Sequence, residues 1–275
     1  MAQFNVDSFQ SAARESGSVN PSQQAVWRGG PAGPRLVGGT TFTGKSALDE
    51  AQVEVLAQAC LQGLDAARRV VLGWRRQGQV LADIYVRGVA PCARLIGQWW
   101  SEDTLDFAST TIVAAHLQQL LHEFSAEFLQ EAPKERNGWS LLLLTEPGAQ
   151  HSMGLFMLSE FFRRDGWTVT TGVPQDMAEF KRLAQSDWFD AVGVSISTDR
   201  HLQALATALR QLKDSTVNPS MQFFVGGPMA VLEPARLKSM PAEVVAHDAP
   251  ATVKWVAQRM PVLALTSGKT LNVQG

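Results

Sequence analysis

The chain has 275 residues, 45% of them hydrophobic, which places it among soluble globular proteins able to bury one large core or two modest ones. A formal net charge of −2 supplies no bulk attraction to nucleic acid or to an anionic membrane, so any effect on DNA is expected to run through a protein partner. The N-terminus lacks a basic segment followed by an apolar run, and no stretch is uniform enough to span a bilayer, so a cytoplasmic protein with no membrane attachment is expected.

Residues 1 to about 45 are rich in Gly, Ser, Gln, Asn and Pro, with apolar residues too sparse to repay the entropy of ordering, and read as a disordered arm. Its RGGPAGPR stretch, Arg28 to Arg35, reads as a solvated spacer or as a weak contact to nucleic acid or to a partner's acidic face. Gly39 to Ser46 matches G-x-x-x-x-G-K-[ST] letter for letter. A phosphate-binding loop, however, needs a buried strand to deliver it, and PAGPRLV upstream is too short and too rich in Pro and Gly. The match therefore reads as a linker ending in a helix cap, with a P-loop nucleotidase kept as a remote alternative.

Residues 46–132 read as a small bundle of about four antiparallel helices. Ser46 with Asp49 makes a capping-box start before VEVLAQACLQGLDAARRVVLGW, taken as one long helix. VLADIYVRGVAPCARLIGQWW follows, with Pro91 placed to break or kink it, and then TLDFASTTIVAAHLQQLLHEFSAEFLQ. The two cysteines, Cys60 and Cys92, lie in these apolar helical stretches with no CxxC pattern and read as reduced core thiols.

After EAPKERNG the pattern changes to alternating strands and helices, the signature of a parallel sheet covered on both faces. Strands are predicted at 139–146, 167–172, 189–197, 222–227 and 243–248, with helices in GLFMLSEFFRRDG, DMAEFKRLAQSD, DRHLQALATALRQLKD, LEPARLKSM and APATVKWVAQRM. Five such units over 138–262 make an α/β domain with a flavodoxin-like, Rossmann-like five-stranded parallel sheet, and 263–275 reads as a tail. In that fold ligands bind beyond the C-terminal ends of the strands, at the point where strand order reverses. The residues at this edge are Gln150-His151-Ser152-Met153-Gly154 after strand one, Ser195 ending strand three, Gly226-Gly227 ending strand four and His247-Asp248 ending strand five. Paired glycines let the backbone approach a bulky ligand, because no Cβ intervenes. The absence of GxGxxG after strand one disfavours a dinucleotide, and Thr145-Glu146-Pro147 offers no acidic cluster for a phosphoaspartate receiver.

With His151-x-x-Gly154, Ser195-Ile196-Ser197 and Gly226-Gly227 in these positions, residues 60 to 260 resemble the cobalamin-binding domain of methionine synthase, corrinoid methyltransferase carriers and cobalamin photoreceptors. The resemblance implies that His151 is the lower cobalt ligand, displacing the cofactor's own base. It also implies that Ser195, Gly226 and Gly227 line the channel taking the nucleotide tail, with Ser152, Met153 and Gly154 as further cofactor-binding residues. The family's acidic residue two positions before the histidine is Ala149 here, with Glu146 the substitute within reach of a folded-back loop. The helical part resembles the family's cap over the corrin, with Gly97-Gln98-Trp99-Trp100 resembling its G-x-x-W, so Trp100 is either a cap over the corrin or core packing. Thr110-Thr111 stand where some photoreceptors carry Glu-His, leaving His116 and His122 as candidate replacements.

A cap, a cobalamin domain without the acidic partner and a disordered arm together resemble the AerR/PpaA group of antirepressors. That resemblance implies a light-responsive, non-enzymatic transcription regulator of photosynthesis genes that binds hydroxo-, aquo- or adenosylcobalamin. It also implies a CrtJ/PpsR-type DNA-binding repressor as partner, with DNA reached only indirectly or weakly through the arm. The alternative is a corrinoid carrier of a methyltransferase system.

Overall fold

A computed structural model describes residues 48–132, 134–149, 152–215 and 218–260. The arm, Ser46 with the Gly39 to Ser46 match, Gln150, His151 and the 263–275 tail lie outside the described residues.

Helix α1 (Glu50–Gln62) starts at Asp49, whose carboxylate accepts from Gln52 N at 2.9 Å while Gln52 Oε1 accepts from Asp49 N at 3.1 Å. This is a complete capping box, built on Asp49 and Gln52. The single long helix expected next is in fact two. Gly63 takes φ +130°, a conformation L side chains rarely adopt, and the chain turns there before α2 (Leu64–Arg76). Both halves carry the same apolar period, which hides the break from a pattern reading.

Helix α3 (Leu81–Asp83) continues through a π-helical turn, Ile84–Val89, into α4 (Ala90–Ser101). Ala90 N donates to Tyr85 O, five residues back, so the widened turn accommodates Pro91 and the helix neither stops nor restarts there. Helix α5 (Phe107–Glu131) is capped by Asp106, which accepts from Ser109 N at 2.8 Å.

The sheet comprises β1 (Ser140–Thr145), β2 (Thr168–Gly172), β3 (Ala191–Ser195), β4 (Gln222–Gly226) and β5 (Glu243–Val244). All pairings are parallel and the order is β2-β1-β3-β4-β5, the flavodoxin-like arrangement. Between the strands run α6 (Met153–Arg164), α7 (Met177–Ala184), α8 (Leu202–Ser215), the short α9 (Pro228–Leu232) with a 3₁₀ turn at Pro234–Leu237, and finally α10 (Ala249–Ala257). Side chains of the central strands alternate between two cores, as the two-residue period requires. Leu142, Leu144, Val192 and Val194 pack with Phe180 and Leu209 on one face. Leu141, Leu143, Ala191 and Phe224 join Phe162 on the other, in an apolar core that runs on into the helical bundle through Phe128, Leu117 and Leu56.

Helix α5 joins bundle to sheet. Phe128 stacks on Tyr85 at 4.8 Å and meets Phe161 of α6 edge-on at 4.9 Å, Ser125 Oγ donates to Glu160, and Arg164 lies 3.7 Å from Glu131. Further up, His122 lies against Phe156 with ring centroids 4.1 Å apart. Residue numbers rise together along both helices, so α5 and α6 run in the same direction. Helix α6 begins at Met153, three residues before Phe156, whereas α5 begins fifteen residues before His122. At 1.5 Å per residue, α5 therefore extends roughly 18 Å beyond the start of α6. The bundle overhangs the C-terminal edge of the sheet.

Candidate functional site

The strand register brings three of the sequence-predicted positions to one edge. Thr145 pairs with Ser195, and Ser195 with Gly226, so β1, β3 and β4 end side by side. Glu146 N donates to Ser195 O and Ile196 N to Gly226 O, both at 2.9 Å, which fixes the chain as it leaves each strand. Gly227 then turns with φ +90°, and a Cβ there would lie 2.7 Å from Ser195 Oγ and 2.8 Å from Ile196 N and O. A Cβ on Gly226 would lie 3.2 Å from Val245 O. The β3 and β4 loops thus meet backbone to backbone, a closeness only glycine permits.

The first βα loop is described up to Ala149 and again from Ser152. Ser152 precedes α6 without capping it through its side chain, its O accepting from Phe156 N at 2.8 Å. Met153 and Gly154 form the first turn. Among the described residues a Cβ on Gly154 would meet nothing within 4 Å, so their packing does not demand a glycine there. His151, the metal ligand implied by the sequence, lies outside the described residues.

Glu146 is held by the neighbouring loop. Only 3% exposed, it accepts at Oε1 from Ser197 N at 2.9 Å and Thr198 N at 3.0 Å, and at Oε2 from Thr198 Oγ1 at 3.1 Å. These contacts go to Ser197 and Thr198 in the loop after β3, a pairing with Glu146 that sequence reasoning did not make. An acidic residue directly after a buried strand was the available signal. Asp248 likewise has a local task, capping α10 by accepting from Ala251 N at 2.8 Å, and His247 O accepts from Thr252 Oγ1 at 3.4 Å.

In the overhang Trp100 is 42% exposed at the end of α4, which rules out simple core packing. Phe107 and Ile112, at the start of α5, are 71% and 52% exposed, so the free end of the bundle carries an apolar surface. The Nδ1 of His116 lies 2.9 Å from Cys60 O, tying that ring into the bundle, whereas exposed His122 covers Phe156 in the first turn of α6. Cys60 and Cys92 are buried free thiols, and their contact together with burial pushes the Cys92 thiol far above its ordinary range.

The arrangement suits a large ligand with an apolar body and a polar tail. The rim carries the exposed Gly154 and the half-buried Gly226 and Gly227, and among the described residues the buried hydroxyl of Thr145, beside Ser195, has no hydrogen-bond partner. The loops after β1, β3 and β4 stand at the C-terminal edge of the sheet, where ligands of doubly wound folds bind, and the bundle overhangs that edge. Among the described residues no cluster of His, Cys, Asp or Glu forms a metal site on its own, and no helix is long and apolar enough to cross a membrane.

Comparison with known proteins agrees with this geometry. Residues 139–256 match the model of the B12 binding domain. A curated relative, described as an uncharacterized 20.5 kDa protein in the bchF-crtJ intergenic region of Rhodobacter capsulatus, is 27% identical over 160 residues, 58% of this chain and 83% of that protein. Among solved structures, the monomethylamine corrinoid protein of Methanosarcina barkeri superposes with a TM-score of 0.65 at 12% identity, covering 78% of this chain and 98% of the other. A cobalamin-binding protein from Desulfitobacterium hafniense is also similar, at 15% identity and a TM-score of 0.41. The likeness of fold spans the helical bundle as well as the sheet, and the site residues stand at the edge where the fold binds ligands. Residues 139–256 thus match the B12 binding domain across the whole sheet, and the match supports cobalamin as the cofactor.

Proposed function

We propose that this chain is a light-responsive cobalamin-binding antirepressor, a non-enzymatic regulator that controls photosynthesis genes through a CrtJ/PpsR-type DNA-binding repressor. The observation that carries this reading is the joint occurrence of a B12-binding domain and a relative placed by its description between bchF and crtJ. The net charge of −2 favours action through a protein over direct action on DNA.

In this reading His151 would ligate the cobalt, while Ser195, Gly226 and Gly227 would line the slot for the tail. Cobalamin, when bound, would supply light-sensitive chemistry at its metal. The protein's own task is to make that change visible from outside. Trp100, Phe107 and Ile112 stand on the overhanging end of the bundle, where a shift against the ring would alter the exposed apolar surface.

The test has two stages. Purified protein titrated with hydroxo- and adenosylcobalamin should take up pigment, and His151→Ala should weaken uptake at least 10-fold; equal uptake by both would remove the proposed ligand. Light and dark forms should then differ in how far they lower the repressor's affinity for its operator, and identical effects would refute the antirepressor role.

A corrinoid carrier of a methyltransferase system is the second reading, since the same lower ligand and the same two-part architecture serve it. Methyl transfer from the methylcobalamin-loaded protein to a thiol, in the presence of a cognate methyltransferase, would favour it.

A further inference from the structure

We infer that Glu146 is an internal anion that assembles the β3 side of the cobalamin slot before the cofactor arrives. The inference rests on the cobalamin reading but assigns a residue that reading does not use.

Ser197 and Thr198 leave β3 with two successive N–H groups pointing to one spot, a concavity of the kind that binds phosphate or another external anion at the switch point of doubly wound sheets. Here the spot is filled from within. The carboxylate of Glu146, one residue beyond β1, accepts both N–H groups at 2.9 and 3.0 Å and the Thr198 hydroxyl at 3.1 Å, and is 3% exposed. Glu146 N in turn donates to Ser195 O. Main chain and side chain therefore bridge the ends of β1 and β3 on both sides of Ser195 and Ile196, the residues against which Gly227 packs.

Two consequences follow. Bonds internal to the protein hold the Ser195 to Thr198 loop, so little ordering entropy remains to be lost when cobalamin binds. Those N–H groups are also already occupied, so the phosphodiester of the cofactor tail has to be met elsewhere on the rim. Glu146 is a positioning residue and touches no cofactor atom in this scheme.

Glu146→Ala removes a carboxymethyl group, which acetate reproduces. Cobalamin affinity should fall about 10- to 100-fold, consistent with a buried acceptor lost from three donors. Acetate at tens of millimolar should restore most of it, whereas chloride at equal ionic strength should not. Glu146→Gln, which keeps an acceptor for the N–H groups, should bind within about threefold of wild type. In the cofactor-free protein, amide exchange at 197 and 198 should speed up in the alanine variant and slow again with acetate.

Wild-type affinity in Glu146→Ala, or rescue by chloride as good as by acetate, overturns the assignment. Should the alanine variant not fold, Glu146→Asp decides, because it keeps the charge but withdraws it by one methylene; wild-type affinity there also overturns it. A wild-type protein that binds no cobalamin defeats the parent reading instead, while the amide exchange still tests the loop assembly.

Discussion

Asp83 is buried to 4% exposure in the helix that leads into the π turn, and its Oδ1 has no hydrogen-bond partner, with Arg87 Nε 3.9 Å away. Burial pushes its carboxyl above the usual carboxylate range, Arg87 only partly opposing this and the Glu131 charge adding to it. A carboxyl with a raised folded-state pKa holds its proton more tightly in the folded chain. Its stabilising share is therefore present below the ordinary carboxylate range and is lost as pH rises through the folded value. Asp83→Asn should accordingly melt higher than wild type near pH 8, with the gap closing toward pH 4; a constant gap across that range would contradict the assignment. Gly154 allows a cleaner separation of folding from binding. Because a Cβ there meets nothing within 4 Å among the described residues, Gly154→Leu should change stability by about 0.5 kcal/mol or less. Cobalamin affinity should nevertheless fall more than 10-fold as the side chain crowds the start of α6, and a melt paired with a titration checks both. Residues of this kind were legible in the sequence because the hydrophobic strands fix which loops share an edge. The Glu146 tie was not, since its partners lie 51 and 52 residues away and only the strand order makes them neighbours.

Elements show the same division between local and distant information. The five strands and the helices between them follow from alternation of apolar runs with turn residues, and the flavodoxin-like order follows once right-handed crossovers are assumed. Two features escaped that reading for different reasons. The break at Gly63 leaves the apolar spacing of α1 and α2 in phase, so only the backbone angle reveals it. The π turn at Ile84–Val89 shifts hydrogen bonding by one residue without any mark in composition, and Pro91, expected to break or kink the helix, is accommodated by it. Within that turn a Cβ on Gly88 would lie 2.9 Å from Trp74 Cζ3, and Trp74 is itself buried, so it has little room to yield. Gly88→Ala should therefore cost about 1–3 kcal/mol despite alanine's better helix propensity. Guanidinium unfolding would show it as a lower midpoint at unchanged slope, and a stabilised variant would mean that the two helices can move apart.

At the scale of the molecule, one apolar core passes from the bundle through α6 to one face of the sheet, while the other face has a core of its own. The contacts that join the halves, Tyr85 on Phe128 on Phe161 and the Glu131 to Arg164 pair, are as internal as those within either half. Neither part can separate without exposing these rings, so the protein should unfold in one transition by both near-ultraviolet dichroism and calorimetry. Ligand linkage then sets a quantitative expectation. Cobalamin in excess at 100 times its dissociation constant adds about 2.7 kcal/mol to the folded state. With a shared core, that gain raises the whole transition, bundle included, although the tail slot is built from the sheet alone. Probes on the two halves, such as amide exchange in α1 and in β4, should gain protection together on loading. Two separate melting steps, with only the sheet's step moving upward, would show that the overhang rides loosely on the cofactor domain, and a change at the cobalt could then not be transmitted through the packed core.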